Sequence, residues 1–506
     1  MKCGTERHDM GQKCAILWGF VGLVVLIFGI ITPTVFNIIL HQEMRKMLPL
    51  VEGTTTYELW RDLPVPMQIQ LWVFDVINAD EVMDHGVKPY VVEKGPYSYR
   101  LKKKKENITF HANSTVTFRQ VSWYYFDREL SVGDENDTFT TINNILLGAA
   151  YMTRFEYPII KELTKLLLES LGGNLYETYT VRDMVWGYED PLLKIIKDDI
   201  LGAFNLSYTL DDHFGFFYKW NGSDDGQFTV FTGAEDLARL SKVDTFNGLT
   251  DAPFWSTPYA RMLNGTDGTF FPPFLDKQKP LFFYSPDACR TLYMDFDREN
   301  TVKDVGTYRY TLPVSLLESG RVNSNNVGFC TPNAHFCMPS GVLNVSGCRM
   351  ASPAIMSYPH FLGGDPEVIN GVNGLHPDPL HHASILDLEP TSAVPMEVAM
   401  RLQIGVYVSN FSNIRQLEHT RTYFHPIFWF NESTVITDDL AGRLRTELVE
   451  VVQAVSVLHY VLPCVGAVVV LICVVYTLHR RKRQRKNTEH PETETDSRDD
   501  DPRLVT

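Results

Sequence analysis

Two long stretches without a charged residue bracket this chain and dictate its topology. Residues 14–40 and 451–478 contain no Asp, Glu, Lys or Arg. As helices, each is long enough to cross a hydrocarbon core of about 30 Å. The roughly 410 residues between them must then occupy one side of the bilayer. The chain reads as a hairpin: transmembrane helices at 14–40 and 451–478, one large domain at 41–450, and short tails at 1–13 and 479–506.

Flanking charge orients the hairpin. Lys2, Arg7 and Lys13 precede the first span, and Arg480, Arg481, Lys482, Arg483, Arg485 and Lys486 follow the second. Basic residues close to a span favour the cytoplasmic side. Both termini are therefore expected in the cytosol, with the large domain extracellular or lumenal. A cleaved signal peptide is the rival reading of the first span. Its length and its lack of a small-residue cleavage site argue against that.

The large domain carries the marks of the secretory pathway. Nine Asn-x-Ser/Thr sequons, at Asn107, Asn113, Asn136, Asn205, Asn221, Asn264, Asn344, Asn410 and Asn431, all fall between the spans, and each is an expected glycosylation site. The eight cysteines form two groups. Cys3, Cys14, Cys464 and Cys473 lie in or beside the spans; Cys3, Cys14 and Cys473 are candidates for S-acylation, or simply small apolar residues. Cys289, Cys330, Cys337 and Cys348 share one 60-residue stretch of the large domain. Four cysteines in an oxidising compartment fit two disulfides, with three possible pairings. No Cys-x-x-Cys pair supports zinc, and no metal site is expected.

Charge narrows the partners. The chain carries a formal −15 and each tail +1, which leaves about −17 on the large domain. That excludes a general binder of nucleic acid or other polyanions. Some 410 residues exceed one ordinary core, so one elaborated domain or two merged lobes is expected.

Strand signals dominate: Met67–Val76 alternates, with Ile69, Leu71 and Val73 on one face. Thr115–Phe118, Gly306–Pro313, Arg401–Val408 and Thr422–Phe430 are similarly β-branched or aromatic. Helical signals gather at Ile145–Met152, Tyr157–Leu171 and Val181–Ile196. The second helix carries a stripe of Ile159, Ile160, Leu163, Leu166 and Leu167, widened by Leu168, that is expected to be core. Arg154, Lys161 and Lys165 flank it and are the candidate ligand-binding residues, with a solvated polar face as the alternative. The run Lys102–Lys105 reads as an exposed edge or turn.

Catalytic signatures are lacking. No G-x-S-x-G, H-E-x-x-H, P-loop or G-x-G-x-x-G occurs, so no enzyme activity and no cofactor are expected. His376, His381 and His382 cluster, and His360 follows Pro359, but no acidic pattern completes a metal site and they read as turn or packing residues. GPYSYR and WGYED read as turns and aromatic packing rather than a ligand site.

Eight segments together resemble the class B scavenger receptors, a family that includes the fatty-acid translocase, the high-density-lipoprotein receptor and the lysosomal integral membrane protein. They are VVEKGPYSYR (91–100), VWGYEDPL (185–192), VFTG (230–233), LNGTDG (263–268), YSPDACR (284–290), GVLNVSGC (341–348), SYPHFLGGDP (357–366) and GLHPDP (374–379). They run in family order between the two anchors and span nearly the whole chain. The resemblance implies a β-rich α+β ectodomain: an antiparallel β-barrel core with an internal hydrophobic tunnel, under a helical-bundle cap at 145–196. It implies a receptor that binds lipids and lipoprotein particles and passes cholesterol, cholesteryl esters or fatty acids through the tunnel to the membrane. Expected partners are sterols, fatty acids, phospholipids and lipoproteins, with homo-oligomerisation open. An apolar conduit spares a lipid the cost of crossing water.

The departures are informative. Ala260 stands where many members have cysteine, and Cys330 stands alone where some have Cys-x-Cys. The remaining pattern resembles the lysosomal branch and implies the pairs Cys289–Cys348 and Cys330–Cys337. The loop Ser170–Thr180 has no lysine, unlike some lipoprotein-binding relatives. In the tail, Asp500, Leu504 and Val505 have the spacing of an acidic dileucine sorting signal, with an unstructured acidic tail as the alternative. The second functional reading is thus a lysosomal membrane protein that sorts a lysosomal hydrolase, exports lipid, or both. The membrane is the cell surface in one reading and the lysosome or endosome in the other.

Overall fold

The computed structural model describes residues 3–195, 197–198, 211–348, 352–410 and 414–489. The chain divides into two compact units, one of the terminal segments and one of residues 44–442.

The terminal unit is a pair of long apolar helices, α1 (Cys3–Met47) and the C-terminal helix (Glu450–Glu489). Glycines let their backbones approach. A Cβ on Gly29 would lie 2.5 Å from Pro463 Cδ, one on Gly22 2.8 Å from Val469 Cγ1, and one on Gly466 2.5 Å from the Leu26 nitrogen. Lipid gives helices no hydrophobic reason to associate, so close packing over small residues supplies the contact. Both helices are long and apolar enough to cross a bilayer.

The large unit is built on an antiparallel sheet. Its strands are β1 (Met67–Val76), β2 (Val91–Phe110), β3 (Thr115–Phe126), β6 (Ser223–Phe231), β7 (Val243–Phe246), β8 (Leu281–Ser285), β9 (Arg290–Val302), β10 (Val305–Thr311), β11 (Ile385–Leu388), β12 (Pro395–Val408) and β13 (Tyr423–Val435). A separate hairpin pairs β4 (Thr138–Ile142) with β5 (Tyr176–Thr180). The order across the main sheet is β8-β9-β10-β11-β12-β13-β1-β2-β3-β6-β7. The N-terminal and C-terminal parts of the domain meet at the centre, where β1 lies between β13 and β2.

The two edges of this sheet meet through the short segment 265–267, where the Val243 N–H donates to Gly265 O at 2.9 Å and the Asp267 N–H to Ser241 O at 3.1 Å. Thr266 bridges Lys242, just before β7, and Phe283 in β8. Its N–H donates to Phe282 O at 2.9 Å, and its carbonyl accepts the Tyr284 N–H at 2.9 Å. The barrel is thereby nearly closed, which leaves little edge for intermolecular pairing. Gly265 makes the approach possible: it has φ +84°, and a Cβ there would fall 2.0 Å from Phe282 O. This is the physical content of the LNGTDG segment. GPYSYR has a similar explanation, since a Cβ on Gly95 would lie 2.7 Å from Leu71 O, at the register shift between β1 and β2.

Three helices form a cap: α2 (Asn144–Thr153) and α3 (Pro158–Leu171), which lie between β4 and β5, and α4 (Val181–Trp186), which follows β5. The helix expected over Val181–Ile196 is broken. Gly187 takes φ +107°, and a new short helix, Pro191–Ile195, starts where Asp190 Oδ1 accepts the N–H groups of Leu192 and Leu193.

Two large apolar clusters, with a smaller one around Phe361 and Phe424, fill the unit. One joins cap to barrel through Leu146, Leu168 and Val181 against Leu71, Val73 and Phe428. The other gathers Trp255, Met294, Tyr310, Leu316, Leu386 and Leu402. Ile404 and Phe430 pack against both.

Candidate functional site: an apolar cap above a charged barrel interior

The cap is anchored by one helix and exposes another. Asn143 caps α2, its Oδ1 accepting the Leu146 N–H at 3.0 Å, and α2 buries Ile145, Leu146, Leu147, Ala150 and Tyr151. Pro158 opens α3, where a missing N–H costs nothing. Of the apolar stripe on α3, only Leu168 is buried and Leu167 packs partly against the core. Ile159 is 71% exposed, and Leu163 and Leu166 are 56% exposed each. Met152, Phe155 and Tyr157 are also exposed beside them. The expectation of a core stripe is therefore corrected. Periodicity identified the apolar face, but the neighbouring elements cover only one margin of it. A clustered exposed apolar surface of this kind marks a partner or lipid site.

The flanking basic residues are less convergent. Arg154 folds back onto its own turn, 3.3 Å from the Tyr151 ring and 4.5 Å from the Phe155 ring, with Nη1 donating to Tyr151 O. Burial pulls its pKa below the ordinary range. Lys165 pairs with Glu162 at 3.8 Å, and Lys161 is half-buried.

The lysine run is not an edge. β2 lies between β1 and β3, and its period-2 alternation turns Lys103 and Lys105 inward. Lys105 is buried, with Nζ donating to Trp60 O (3.2 Å), Gln120 Oε1 (3.2 Å) and Thr269 Oγ1 (3.0 Å). It also faces the Trp60 ring at 5.0 Å, and burial pushes its pKa down to about 8. Lys103 pairs with Glu432 of β13 at 2.5 Å. Burial works against the Lys103 charge, but Glu432, Asp225 and Asp287 outweigh it and raise the pKa. Asp225 itself is pushed up to about 7, first by burial and then by Asp287. These side chains are enclosed by protein yet keep reachable surface: 22% for Lys103 and 29% for Glu432. Tyr124, on which Glu432, Asp225 and Asp287 act, is likewise only partly buried, and so are Phe216 and Trp220 where they pack against the core. The barrel thus holds a cluster of charged groups, a charged waist, inside its wall.

Sequence reasoning missed a third cluster. His360 Nε2 meets Glu93 Oε2 at 2.6 Å, and Trp429 Nε1 donates to the same oxygen at 2.8 Å. His382 stacks on His360, with centroids 4.4 Å apart and planes at 15°. The three residues come within metal-binding reach, but the hydrogen bonds oppose a metal. His360 Nδ1 accepts the His376 N–H at 3.0 Å, and His382 Nδ1 accepts the Asp378 N–H at 2.9 Å. Each ring therefore carries its proton on Nε2 and offers no lone pair there. Glu93 lies 267 residues from His360, so no local pattern could have flagged it.

Disulfides join Cys289 to Cys348 and Cys330 to Cys337. Among the sequons, Asn107, Asn113, Asn136, Asn221, Asn264 and Asn410 are exposed, and Asn431 is half-buried in β13. Asn344 differs from them: it is 5% exposed, its Nδ2 donates to Thr331 Oγ1 at 2.9 Å and its Oδ1 accepts the Ser346 N–H. Cys14 and Cys473 line one cleft between the terminal helices. Asn205 and the tail residues Asp500, Leu504 and Val505 lie outside the described residues, as does the side chain of Cys3.

Comparison with known proteins agrees with this architecture. The CD36 family model matches residues 20–477. Scavenger receptor class B member 1 of Sus scrofa is 34% identical over 476 residues, covering 94% of this chain and 92% of the relative. The protein of that name from Cricetulus griseus is 33% identical over 479 residues, with the same coverage. Lysosome membrane protein 2 of Mus musculus is 32% identical over 464 residues, covering 90% of this chain and 93% of the relative. With a nearly closed antiparallel barrel, two membrane-crossing terminal helices and matches along almost its full length, the chain belongs to the CD36 family of scavenger receptors, which are receptors and not enzymes.

Proposed function

We propose that this receptor binds lipids and lipoprotein particles on its cap and passes cholesterol, cholesteryl esters or fatty acids through the barrel to the membrane. The observation that carries the reading is the uncovered face of α3, where Ile159, Leu163 and Leu166 stand in solvent. Such a face can insert below the headgroups of a lipid particle's surface monolayer, and burying it among acyl chains supplies the binding energy. The partly buried aromatic lining below it supports a lipid path, because apolar walls replace the water that a lipid cannot enter. Both tails are assigned to the cytosol and the glycans to the exposed sequons. Cys3, Cys14 and Cys473 are the proposed acylation sites.

Two variants in the full-length protein test this in cells. Leu163→Asp/Leu166→Asp should lower lipoprotein binding at least tenfold while changing stability little, since both side chains are already exposed. Ile404→Trp, between the two cores, should reduce lipid uptake while sparing particle binding. Uptake that survives a folded Ile404→Trp protein would sink the conduit.

The match to Lysosome membrane protein 2 supports a second reading, in which the same face carries a lysosomal hydrolase and the Asp500, Leu504 and Val505 signal directs the complex to lysosomes. Surface biotinylation against lysosomal fractionation separates the two. A lysosomal protein that moves to the surface on Leu504→Ala/Val505→Ala favours sorting, and a surface protein indifferent to the change favours lipoprotein uptake.

A further inference from the structure

Arg290, the first residue of β9, is a buried cation without an acidic partner among the described residues. Its side chain is 2% exposed. Of its five N–H groups, Nε donates to Thr291 O at 3.3 Å and Nη1 to Leu316 O at 3.0 Å. The Phe329 ring lies 3.7 Å from the guanidinium carbon. The groups acting electrostatically on it are Tyr259, Tyr358 and Tyr293, with no carboxylate among them. Burial lowers its pKa only to about 10, so it stays charged at neutral pH. A buried charge is ordinarily matched by an opposite one. Carbonyl oxygens and an aromatic face soften the cost here, but neither cancels the charge.

Beside this guanidinium is a cavity of about 30 Å³, walled by Arg290, Leu316, Asn326, Phe329, Cys330 and Asn344. That is more than the roughly 10–15 Å³ needed for a single water, and small for a tetrahedral oxyanion. Glu318 also reaches its wall, but Glu318 Oε2 accepts Asn323 Nδ2 at 3.1 Å and the residue is not among the groups that bear on Arg290. One wall is fixed by the Cys330–Cys337 bridge: a Cβ on Gly320 would meet both sulfurs, at 2.7 and 3.0 Å. The walls also include residues that hold other parts of the domain in place. Asn326 Nδ2 donates to Ser315 O and Glu318 O, and Asn344 is tied to Thr331 and Ser346.

We propose that this cavity binds one small monovalent anion of chloride's size, held by the Arg290 guanidinium, which ties β9 to the disulfide-bonded loop around Cys330. A water could fill the space but would leave the charge unmatched. The ligand acts as a structural counter-ion, and binding to the folded state alone stabilises it by mass action.

The test uses the full-length glycoprotein in nanodiscs, with chloride exchanged for gluconate at constant ionic strength. Thermal unfolding should rise by about 1–3 °C between chloride-free and saturating chloride, bromide should substitute, and Arg290→Met should abolish the dependence. A chloride-insensitive wild type, or an equal chloride shift in Arg290→Met, overturns the proposal. If Arg290→Met fails to fold, bromide-soaked crystals of the wild type decide. An anomalous peak beside Arg290 supports the site, and an empty cavity at saturating bromide overturns it.

Discussion

His360 holds Glu93 with a hydrogen bond of 2.6 Å, and the far side of the same imidazole accepts the backbone N–H of His376 at 3.0 Å. The ring thus pins residues 374–382 to β2 in one tautomer. His382 repeats the arrangement through the Asp378 N–H. Adding a proton at either Nδ1 would turn an acceptor toward a donor and break the bond.

Acid should therefore loosen this strap. Burial first, then the neighbouring His360, pushes the His382 pKa down to about 4, against about 6.5 in an unfolded chain. Between those values the unfolded state binds more protons, so stability falls as pH drops, by about 2 kcal/mol at pH 5. Burial opposes the charge of Glu93, but the hydrogen bonds from His360 and Trp429 win and lower its pKa. Its contribution, present above the unfolded pKa, is likewise lost as pH falls through the folded value. His382→Phe should cost about 1 kcal/mol at pH 7 through the lost Asp378 bond, yet narrow the gap in melting temperature between pH 7 and pH 5. An unchanged gap would sink the assignment.

The charged waist should behave as a coupled pair. Lys103→Met leaves Glu432 without its partner, and Glu432→Gln does the reverse; each should cost about 3 kcal/mol. The double variant should cost less than the sum of the two by about 1–3 kcal/mol. Denaturant unfolding of all four proteins measures the cycle, and strict additivity would mean that the pair is not a unit.

Barrel closure makes Gly265 hard to replace. Alanine there must hold φ +84° with its Cβ driven toward Phe282 O, at an expected cost of about 3 kcal/mol or more. Gly306→Ala is the control, since nothing lies within 4 Å of a Cβ there. The expected result is normal cell-surface yield for the control and sharply reduced yield for Gly265→Ala.

Glycopeptide mass spectrometry should find Asn344 unmodified, because its amide is buried and already bonded. Asn107, Asn113, Asn136, Asn221, Asn264 and Asn410 stand exposed and should carry glycans. A glycan at Asn344 in folded protein would contradict the packing around Thr331.

Legibility in the sequence followed the range of the interaction. β1 emerged with the expected bounds, Met67–Val76, because alternation is a local property. Lys102–Lys105 was misread because a run of lysines suggests solvent, whereas the barrel turns every second one inward onto groups as distant as Glu432. The α3 stripe was found, but its exposure was not, because periodicity shows that a face is apolar and not what covers it. Glu93 and Arg290 gain their meaning only from partners or cavities assembled across the fold.

The seam at Thr266 gives the barrel a clasp. Every other junction around the hoop is a ladder of several backbone bonds, whereas β7 and β8 are linked through the short segment 265–267. The hoop is therefore closed by isolated bridges at one place and by ladders everywhere else. Thr266, held by backbone bonds on one side and a bridge on the other, is thus the link on which the closed hoop depends.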